Sequence, residues 1–541
     1  MIDTLIHSAQ IYYDFLEQHG LGVEKIRIKS FQFENQRLYI FLGQKLYSTD
    51  SLLLRCNGRD FYISDEDEIV LLSYDEQKQI LLLEFLIPTT NFQDFELLSD
   101  LKFLIMNVKN FFSSFEIALP SEMPIKIDDD EIPSERLSEN QIQALRMIFS
   151  SPLSYVWGAP GSGKTQRVLF EALLLLIKKN KKVALVAPTN NALELALKTI
   201  IKKADDLGME RHLFLRLGVP SAEFLALYPE CCDSSVLDKK QVSLFSYSNP
   251  KERMDQACVI AMTLDGFIKR YGAMKIKFDH LFLDECGFAP LAKVCALCAN
   301  TSPLSMLGDH KQLMPVCEMP SKELEQEPKA KLWNLSALYL ESFFGLKEEV
   351  FLQKQLSLKY TKTISLKRTY RYGDNLAQIL DRFVYKNGLR GKEGESEVYF
   401  VDCARFQGIG LRGEFDVGHT NAKEIEAIKT LFPLLDHDYA VITPFVKQRQ
   451  ALISNGLNYE RVFTIHRSQG QEFNDVVFSP VKLHYHLSDS NNPLALQALN
   501  VAISRVKKRL IVVCDVQFWR KHPHQFLTQI LNIAKEWKIV R

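Results

Sequence analysis

Trp157-Gly158-Ala159-Pro160-Gly161-Ser162-Gly163-Lys164-Thr165 sets the architecture of what surrounds it. From Gly158 to Thr165 it fits G-x-x-x-x-G-K-[ST], a loop that cradles phosphates. Leu153, Tyr155, Val156 and Trp157 read as a short strand before it, and Gln166 to Lys178 as a helix after it. Strand, loop and helix in that order are the setting the motif needs. Glycines let backbone N–H groups turn inward onto phosphate oxygens, and the helix offers the positive end of its dipole. Lys164 is placed to reach the β- and γ-phosphates and Thr165 to hold Mg²⁺. A nucleoside triphosphate is therefore the expected ligand, against the alternative of a glycine-rich turn that binds nothing.

Outward from the loop, apolar strand-like runs alternate with helical pattern. Val183-Ala-Leu-Val-Ala, Cys258-Val-Ile-Ala and His280-Leu-Phe-Leu are such runs, and they predict a parallel sheet wrapped by helices. Residues from about Ala204 to Lys251 break the pattern and read as an insertion. From about Leu366 a second series follows through Tyr439-Ala-Val-Ile, Val462-Phe-Thr-Ile, Asp475-Val-Val-Phe and Leu510-Ile-Val-Val-Cys. Ahead of the loop the texture differs. Residues 1 to about 20 predict a helix with Leu5, Ile6, Ile11, Tyr12 and Phe15 on or near one face. Short strand-like runs from Ile26 to about Ile87, broken at Asn57-Gly58 and Tyr74-Asp75-Glu76, predict a small β-barrel. A second helix is expected from about Phe95 to Phe115, then an acidic, proline-bearing linker through Asp128 to Glu131 and Pro133.

A chain of 541 residues predicts three or four domains. A hydrophobic share of 46% and a charged share of 24% are ordinary for a globular protein. Sixty-six basic residues balance 66 acidic ones, so net charge leaves no footprint of nucleic-acid binding, although a locally cationic groove is compatible with it. The amphipathic opening predicts no signal peptide, and no apolar run has membrane-spanning length, so a cytoplasmic protein is expected. Ten scattered cysteines suit a reducing compartment; Cys295-x-x-Cys298 lies in an apolar run with no second pair, and reads as two buried thiols.

Phosphate chemistry also needs a metal-holding carboxylate and a group that activates water. Asp284 and Glu285, at the end of His280-Leu-Phe-Leu, supply both: Asp284 for Mg²⁺, Glu285 to orient and deprotonate the attacking water. Gly308-Asp-His-Lys-Gln312 puts Asp309 and Gln312 on a loop after a strand, where a γ-phosphate can be sensed. Arg368-Thr-Tyr370-Arg371 and Asn500-Val-Ala-Ile-Ser-Arg505 bring arginines suited to spreading negative charge.

The order of these stretches resembles that of the superfamily 1 helicases. The nearest branch is the 5′-to-3′ enzymes of nonsense-mediated mRNA decay and Okazaki-fragment processing. The matching motifs run from about Leu137 to Val513. Leu137-Ser-Glu-Asn-Gln141 resembles the adenine-reading motif, with Gln141 in the reading position. Ala187-Pro188-Thr189-Asn190-Asn-Ala192 and Thr263 resemble contacts to a single-stranded backbone. Asp284-Glu285, Asp309 with Gln312, and Tyr370-Arg371 match the hydrolysis, sensor and adenine-stacking/arginine positions. Thr443-Pro444-Phe-Val-Lys-Gln448, Thr464-Ile-His466-Arg-Ser-Gln469-Gly470-Gln-Glu472 and Asn500 to Arg505 match motifs of a second motor domain.

The resemblance implies an α/β fold of two tandem RecA-like P-loop domains, with an N-terminal helical stalk carrying a small β-barrel. Residues 1–127 would be that accessory module, 128–350 the first motor domain with its insertion at about 204–251, and 351–541 the second. It implies ATP and Mg²⁺ as cofactors, single-stranded DNA or RNA as partner, and no membrane. ATP would lie between the motor domains. Gly158, Ala159, Pro160, Gly161, Ser162, Gly163, Lys164, Thr165, Gln141, Tyr370, Gly470 and Glu472 would hold it. Glu285, Gln312, Arg371 and Arg505 would complete the chemistry. Pro188, Thr189, Asn190, Thr263, Thr443, Pro444, Thr464 and His466 would line the strand. The implied activity is ATP-dependent 5′-to-3′ translocation and unwinding; the alternative is an ATP-driven binding switch without processive unwinding. The family pattern is broken at Cys286-Gly287-Phe288, where Ala, a variable residue and Gln are usual, and at Thr369, where Gln or Asn is common. Both bear on coupling rather than on phosphate chemistry. Residues 1–130 show no nuclease constellation.

Overall fold

A computed structural model describes residues 1–43, 46, 49, 51–56, 59–63, 68–75, 78–86, 95–233, 250–345, 356, 358–406 and 418–537. The chain divides into two compact units. One comprises Met1–Val156, Thr165–Gly308 and Met314–Ile364; the other comprises Trp157–Lys164, Asp309–Leu313 and Ser365–Arg541.

In the first unit, helix Ile2–Gln18 buries Leu5, Ser8, Ala9, Tyr12, Phe15 and Leu16, a stripe at three- and four-residue spacing. Ile6 and Ile11 flank that stripe half-buried. The helix docks on the segment Pro328–Trp333: Ser8 Oγ donates to the Lys329 carbonyl at 2.7 Å, and the Tyr12 ring lies 5.2 Å from that of Trp333.

Among the described residues eight short strands follow, in two four-stranded sheets. Alternation explains them: Leu38, Ile40 and Leu42 point inward from Arg37–Leu42, as Leu81, Leu83 and Phe85 do from Ile80–Phe85. These side chains share one core with Leu52, Leu54 and Leu97 of the other sheet. Among the described residues no ladder of hydrogen bonds joins the two sheets. The expected turn at Asn57-Gly58, and the end of the run at Ile87, lie outside the described residues.

The helix expected from Phe95 begins six residues later. Phe95–Asp100 is a strand, antiparallel to both Val23–Lys25 and Leu52–Cys56, and the helix is Leu101–Ser114. Pairing with two distant strands overrides local helical pattern here. Asp100 marks the boundary, its carboxylate accepting from the N–H groups of Lys102 at 2.9 Å and Phe103 at 3.3 Å.

The large sheet is parallel through its centre, in the order Phe214–Arg216, Val259–Thr263, Val183–Ala187, His280–Leu283, Leu304–Gly308, Leu153–Gly158, Lys362–Leu366. Its inner strands are buried throughout, as continuous apolar runs dictate. The stretch read as an insertion, of which residues 234–249 lie outside the described residues, includes the edge strand Phe214–Arg216 of this sheet. A three-residue strand is too short to announce itself by periodicity.

The second unit has its own six-stranded parallel sheet, ordered Val462–Thr464, Tyr439–Thr443, Phe473–Phe478, Val506–Cys514, Glu397–Asp402, Lys535–Glu536. Helices Ala422–Leu431 and Val446–Ser454 pack Ile425, Ile428 and Leu452 onto it. The architecture is thus α/β with parallel sheets. Among the described residues no helix is long and apolar enough to cross a membrane. Cys295 and Cys298 are free and buried, and burial pushes both thiols up.

Candidate nucleotide and nucleic-acid sites

In the first unit, strand His280–Leu283 delivers Asp284 to the carboxyl edge of the large sheet. The Asp284 N–H still donates to the Val186 carbonyl at 2.9 Å, so its backbone stays in the ladder. Its carboxylate, 3% exposed, accepts from Thr165 Oγ1 at 2.8 Å. A hydroxyl and a carboxylate this close are the oxygen donors a hard divalent cation prefers, so this pair fits Mg²⁺. Glu285 follows with φ of +52°, left-handed backbone that costs a non-glycine residue about 1 kcal/mol or more. This strained residue stands directly beside the metal-fitting pair.

Behind this bend, Cys286–Phe288 forms a tight turn with Cys286 and Gly287 buried. A Cβ on Gly308 would stand 2.7 Å from Cys286 Sγ and 2.9 Å from the Cys286 nitrogen. The departure from the family pattern therefore coincides with a narrow seam that favours small residues. Gln141 is buried, and its Oε1 accepts the Ser138 N–H at 3.0 Å in a reciprocal cap of helix Glu139–Ile148. The residue expected to read adenine thus already serves its own helix.

In the second unit, the loop Trp157–Lys164 closes on itself. Gly161 and Gly163 have φ of +77° and +86°, conformations natural only to glycine. Lys164 Nζ donates to the carbonyls of Gly158 at 2.6 Å and Ala159 at 3.4 Å. The loop abuts strand Arg368–Gly373: Thr369 Oγ1 donates to the Pro160 carbonyl at 2.7 Å, and the Tyr370 N–H to the Gly161 carbonyl at 2.8 Å. A Cβ on Gly161 would lie 2.5 Å from Arg371 Cβ. Thr369, the second departure, is therefore the residue that ties strand to loop. Arg371 reaches the Ser504 carbonyl at 3.0 Å and Glu472 at 2.8 Å, while its Nε is buried without a partner among the described residues. That orphaned donor fits an anion. Tyr370 leaves 42% of its surface exposed, with the Arg368 guanidinium 5.7 Å from the centre of its ring. Gly470 is left-handed, with φ of +79°.

The sensor positions meet in one buried network. Arg505 Nη2 donates to Gln312 Oε1 at 2.8 Å, and Gln312 Nε2 to Asp309 Oδ2 at 3.2 Å. Asp309 also accepts from Trp157 Nε1 at 3.0 Å and from the Tyr385 hydroxyl at 2.8 Å. Asn500 Nδ2 donates to that same hydroxyl at 3.0 Å. Burial, with Asp309 adjacent, holds the Tyr385 phenol well above its usual range. No motif singles out Tyr385, which ends the irregular helical turn Asp381–Tyr385.

The strand-contact candidates sit at carboxyl ends of strands. Ala187 and Thr263 are register partners in the first unit, Thr443 and Thr464 in the second. Thr189 Oγ1 accepts the Ala192 N–H at 3.2 Å and Thr263 Oγ1 the Gly266 N–H at 2.9 Å, so both cap helices. Asn190 Oδ1 accepts from buried Arg216 at 2.8 Å. Pro188 is half-buried, Thr443 and Pro444 are buried, and His466 is exposed.

Two models, each described as "AAA domain", match the chain over residues 141–318 and 348–517. "Regulator of nonsense transcripts 1 homolog" of Neurospora crassa is 24% identical over 453 residues, covering 74% of this chain and 39% of the relative. "DNA replication ATP-dependent helicase/nuclease JHS1" of Arabidopsis thaliana is 23% identical over 423 residues, covering 74% of this chain and 30% of the relative. The chain thus spans less than half the length of these curated relatives. A solved arterivirus nonstructural protein 10 (helicase) superposes at a TM-score of 0.41 with 12% identity, over 91% of this chain and 76% of that one, too loosely to speak for the fold. By its two domain matches and its relatives, the chain belongs to the superfamily 1 helicases, on the branch of the regulators of nonsense transcripts.

Proposed function

We propose that this protein hydrolyses ATP to move 5′-to-3′ along single-stranded DNA or RNA and to part duplexes, with residues 128–350 and 351–541 as motor domains and 1–127 as a stalk-and-barrel accessory module. The observation that carries the reading is Thr165 Oγ1 on Asp284 Oδ2 at 2.8 Å, directly after a loop of phosphate-cradling sequence and directly before Glu285. Bound there, Mg²⁺ would draw charge from the phosphates. Lys164 exchanges its loop carbonyls for phosphate oxygens. Glu285 orients and deprotonates the attacking water, and Gln312 senses the γ-phosphate. Arg371, whose Nε lacks a partner among the described residues, and Arg505 stabilise the charge that spreads as the bond breaks. Tyr370 stacks on the base, with Gln141, Gly470 and Glu472 around the nucleotide. Pro188, Thr189, Asn190, Thr263, Thr443, Pro444, Thr464 and His466 track the strand, contacts that position without reading sequence. The relatives' names, one a regulator of transcripts and one of DNA replication, support either nucleic acid as substrate.

Lys164→Ala tests the chemistry: ATP turnover should vanish, and turnover at the parent's rate would sink the assignment. Displacement from duplexes with 5′ or 3′ tails, in DNA and in RNA, tests the motion. Stimulated hydrolysis without displacement would favour an ATP-driven clamp.

A further inference from the structure

We propose that the turn from Pro480 to Ser488, with His419 and Phe445, is a base-stacking platform for a single nucleic-acid strand. The proposal rests on the nucleic-acid reading above and extends it from Phe445, within the Thr443–Gln448 motif, to His419 and the Pro480–Ser488 turn, which lie outside the motifs. Phe445 directly follows Thr443-Pro444 at the carboxyl end of strand Tyr439–Thr443. The turn follows the neighbouring strand Phe473–Phe478, where Ile442 and Phe478 are register partners. Both therefore emerge at the carboxyl edge of a parallel sheet, the edge on which open α/β sheets bind ligands.

The rings there form a ladder from core to solvent. Phe445 is 3% exposed; His419 packs on it at 5.2 Å and His484 at 5.7 Å, edge to face at 88°. His486 stands 6.1 Å from His484, and Tyr485 4.9 Å from His486. Tyr485 is 62% exposed and His486 is also exposed. Lys482 Nζ lies 5.8 Å from the centre of the Phe445 ring. Capping a core accounts for Phe445, but not for a tyrosine and a histidine held in solvent. Flat rings beside a cation match a single strand, whose bases offer π faces and whose phosphates offer charge.

The turn is built to hold its shape. Val481 has φ of +65°, an outlier for a β-branched residue, and the Lys482 N–H donates to the Pro480 carbonyl at 2.7 Å to close the bend. Buried Glu424 anchors it, accepting the Val481 N–H at 3.1 Å and the Ser479 hydroxyl at 2.5 Å. Further along, the His484 carbonyl accepts N–H groups from Leu487, Ser488 and Asp489 at 3.1, 2.9 and 3.0 Å. Backbone strain persists only where the surroundings over-determine it, and it clusters at functional sites. A turn already rigid loses little entropy when a strand arrives.

The test compares the parent chain with the double substitution Tyr485→Ala/His486→Ala, both exposed, for binding of homopyrimidine single strands. DNA and RNA probes are each used with bases and in an abasic form. The double variant should unfold at the parent's denaturant midpoint and keep its ATP turnover without nucleic acid. Its affinity for the base-bearing probes should fall by about fivefold to a hundredfold, the scale of one lost stacking contact. Its affinity for the abasic probes should change by less than about twofold. Equal affinity of parent and variant for the base-bearing probes would overturn the platform, as would an equal loss on both kinds of probe. If the parent binds no single strand at all, the nucleic-acid reading fails and the platform with it.

Discussion

Tyr385→Phe removes one oxygen from the centre of the buried network that joins Asp309, Gln312 and Arg505, and leaves the ring in place. That hydroxyl donates to Asp309 Oδ2 at 2.8 Å and accepts from Asn500 Nδ2 at 3.0 Å. Asp309 keeps Trp157 Nε1 at 3.0 Å, the Lys311 N–H at 3.0 Å and Gln312 Nε2 at 3.2 Å, and Asn500 keeps the Lys311 carbonyl at 3.0 Å. The loss is therefore one charge-assisted bond and a weaker neutral one, with neither partner wholly stranded. A buried hydrogen bond to a charged group is worth about 1.5–3 kcal/mol, so destabilisation of about 2 kcal/mol is expected. For a unit of this size that lowers the melting midpoint by roughly 5 °C. Urea unfolding of parent, Tyr385→Phe, Asp309→Asn and the double variant reads it, with a coupling of about 1 kcal/mol or more between the two sites. Because Asp309 also holds Gln312, and Gln312 holds Arg505, kcat for ATP should fall while KM stays near the parent's. A coupling below about 0.3 kcal/mol, within the error expected of independent sites, together with a parental kcat, would refute the network.

Gly161→Ala forces a side chain onto φ of +77° with its Cβ 2.5 Å from Arg371 Cβ. Left-handed backbone costs about 1–2 kcal/mol before that clash is counted, so nucleotide affinity should drop about tenfold or more in a titration with a fluorescent analogue; parental affinity would show the loop to be pliant. Glu424→Gln probes another buried acid. Burial pushes the Glu424 carboxyl up to about 8 from an ordinary 4.5, so across that window the folded chain holds a proton the unfolded chain has released. Parental stability should therefore fall as pH rises from about 4.5 to about 8, by at most about 1.4 kcal/mol per unit, and level off above. The amide lacks this term, so its stability relative to the parent should rise by a few kcal/mol between pH 5 and pH 8, roughly. A difference that does not vary with pH would refute it.

The chain by itself determined the phosphate-loop pattern, the carboxylates at the end of an apolar run at Asp284-Glu285, and the two series of strand-like runs. Each of these is local. Positive-φ glycines and strand-end carboxylates act through neighbours a few residues away, so their spacing is visible in one dimension. Only the tertiary structure decided that Phe95–Asp100 joins a sheet, because its partners Val23–Lys25 and Leu52–Cys56 lie on other turns of the chain. The same holds for Tyr385, whose hydroxyl meets Asp309 across 76 residues and Asn500 across 115. It holds for Thr369, which closes on Pro160 across 209. A hydrogen bond between groups so far apart leaves no periodicity and no motif, since its geometry exists only once the unit that holds both groups has folded. Burial then settles what each group is: the same tyrosine on a surface would be an ordinary phenol, and inside this network it is a rigid strut.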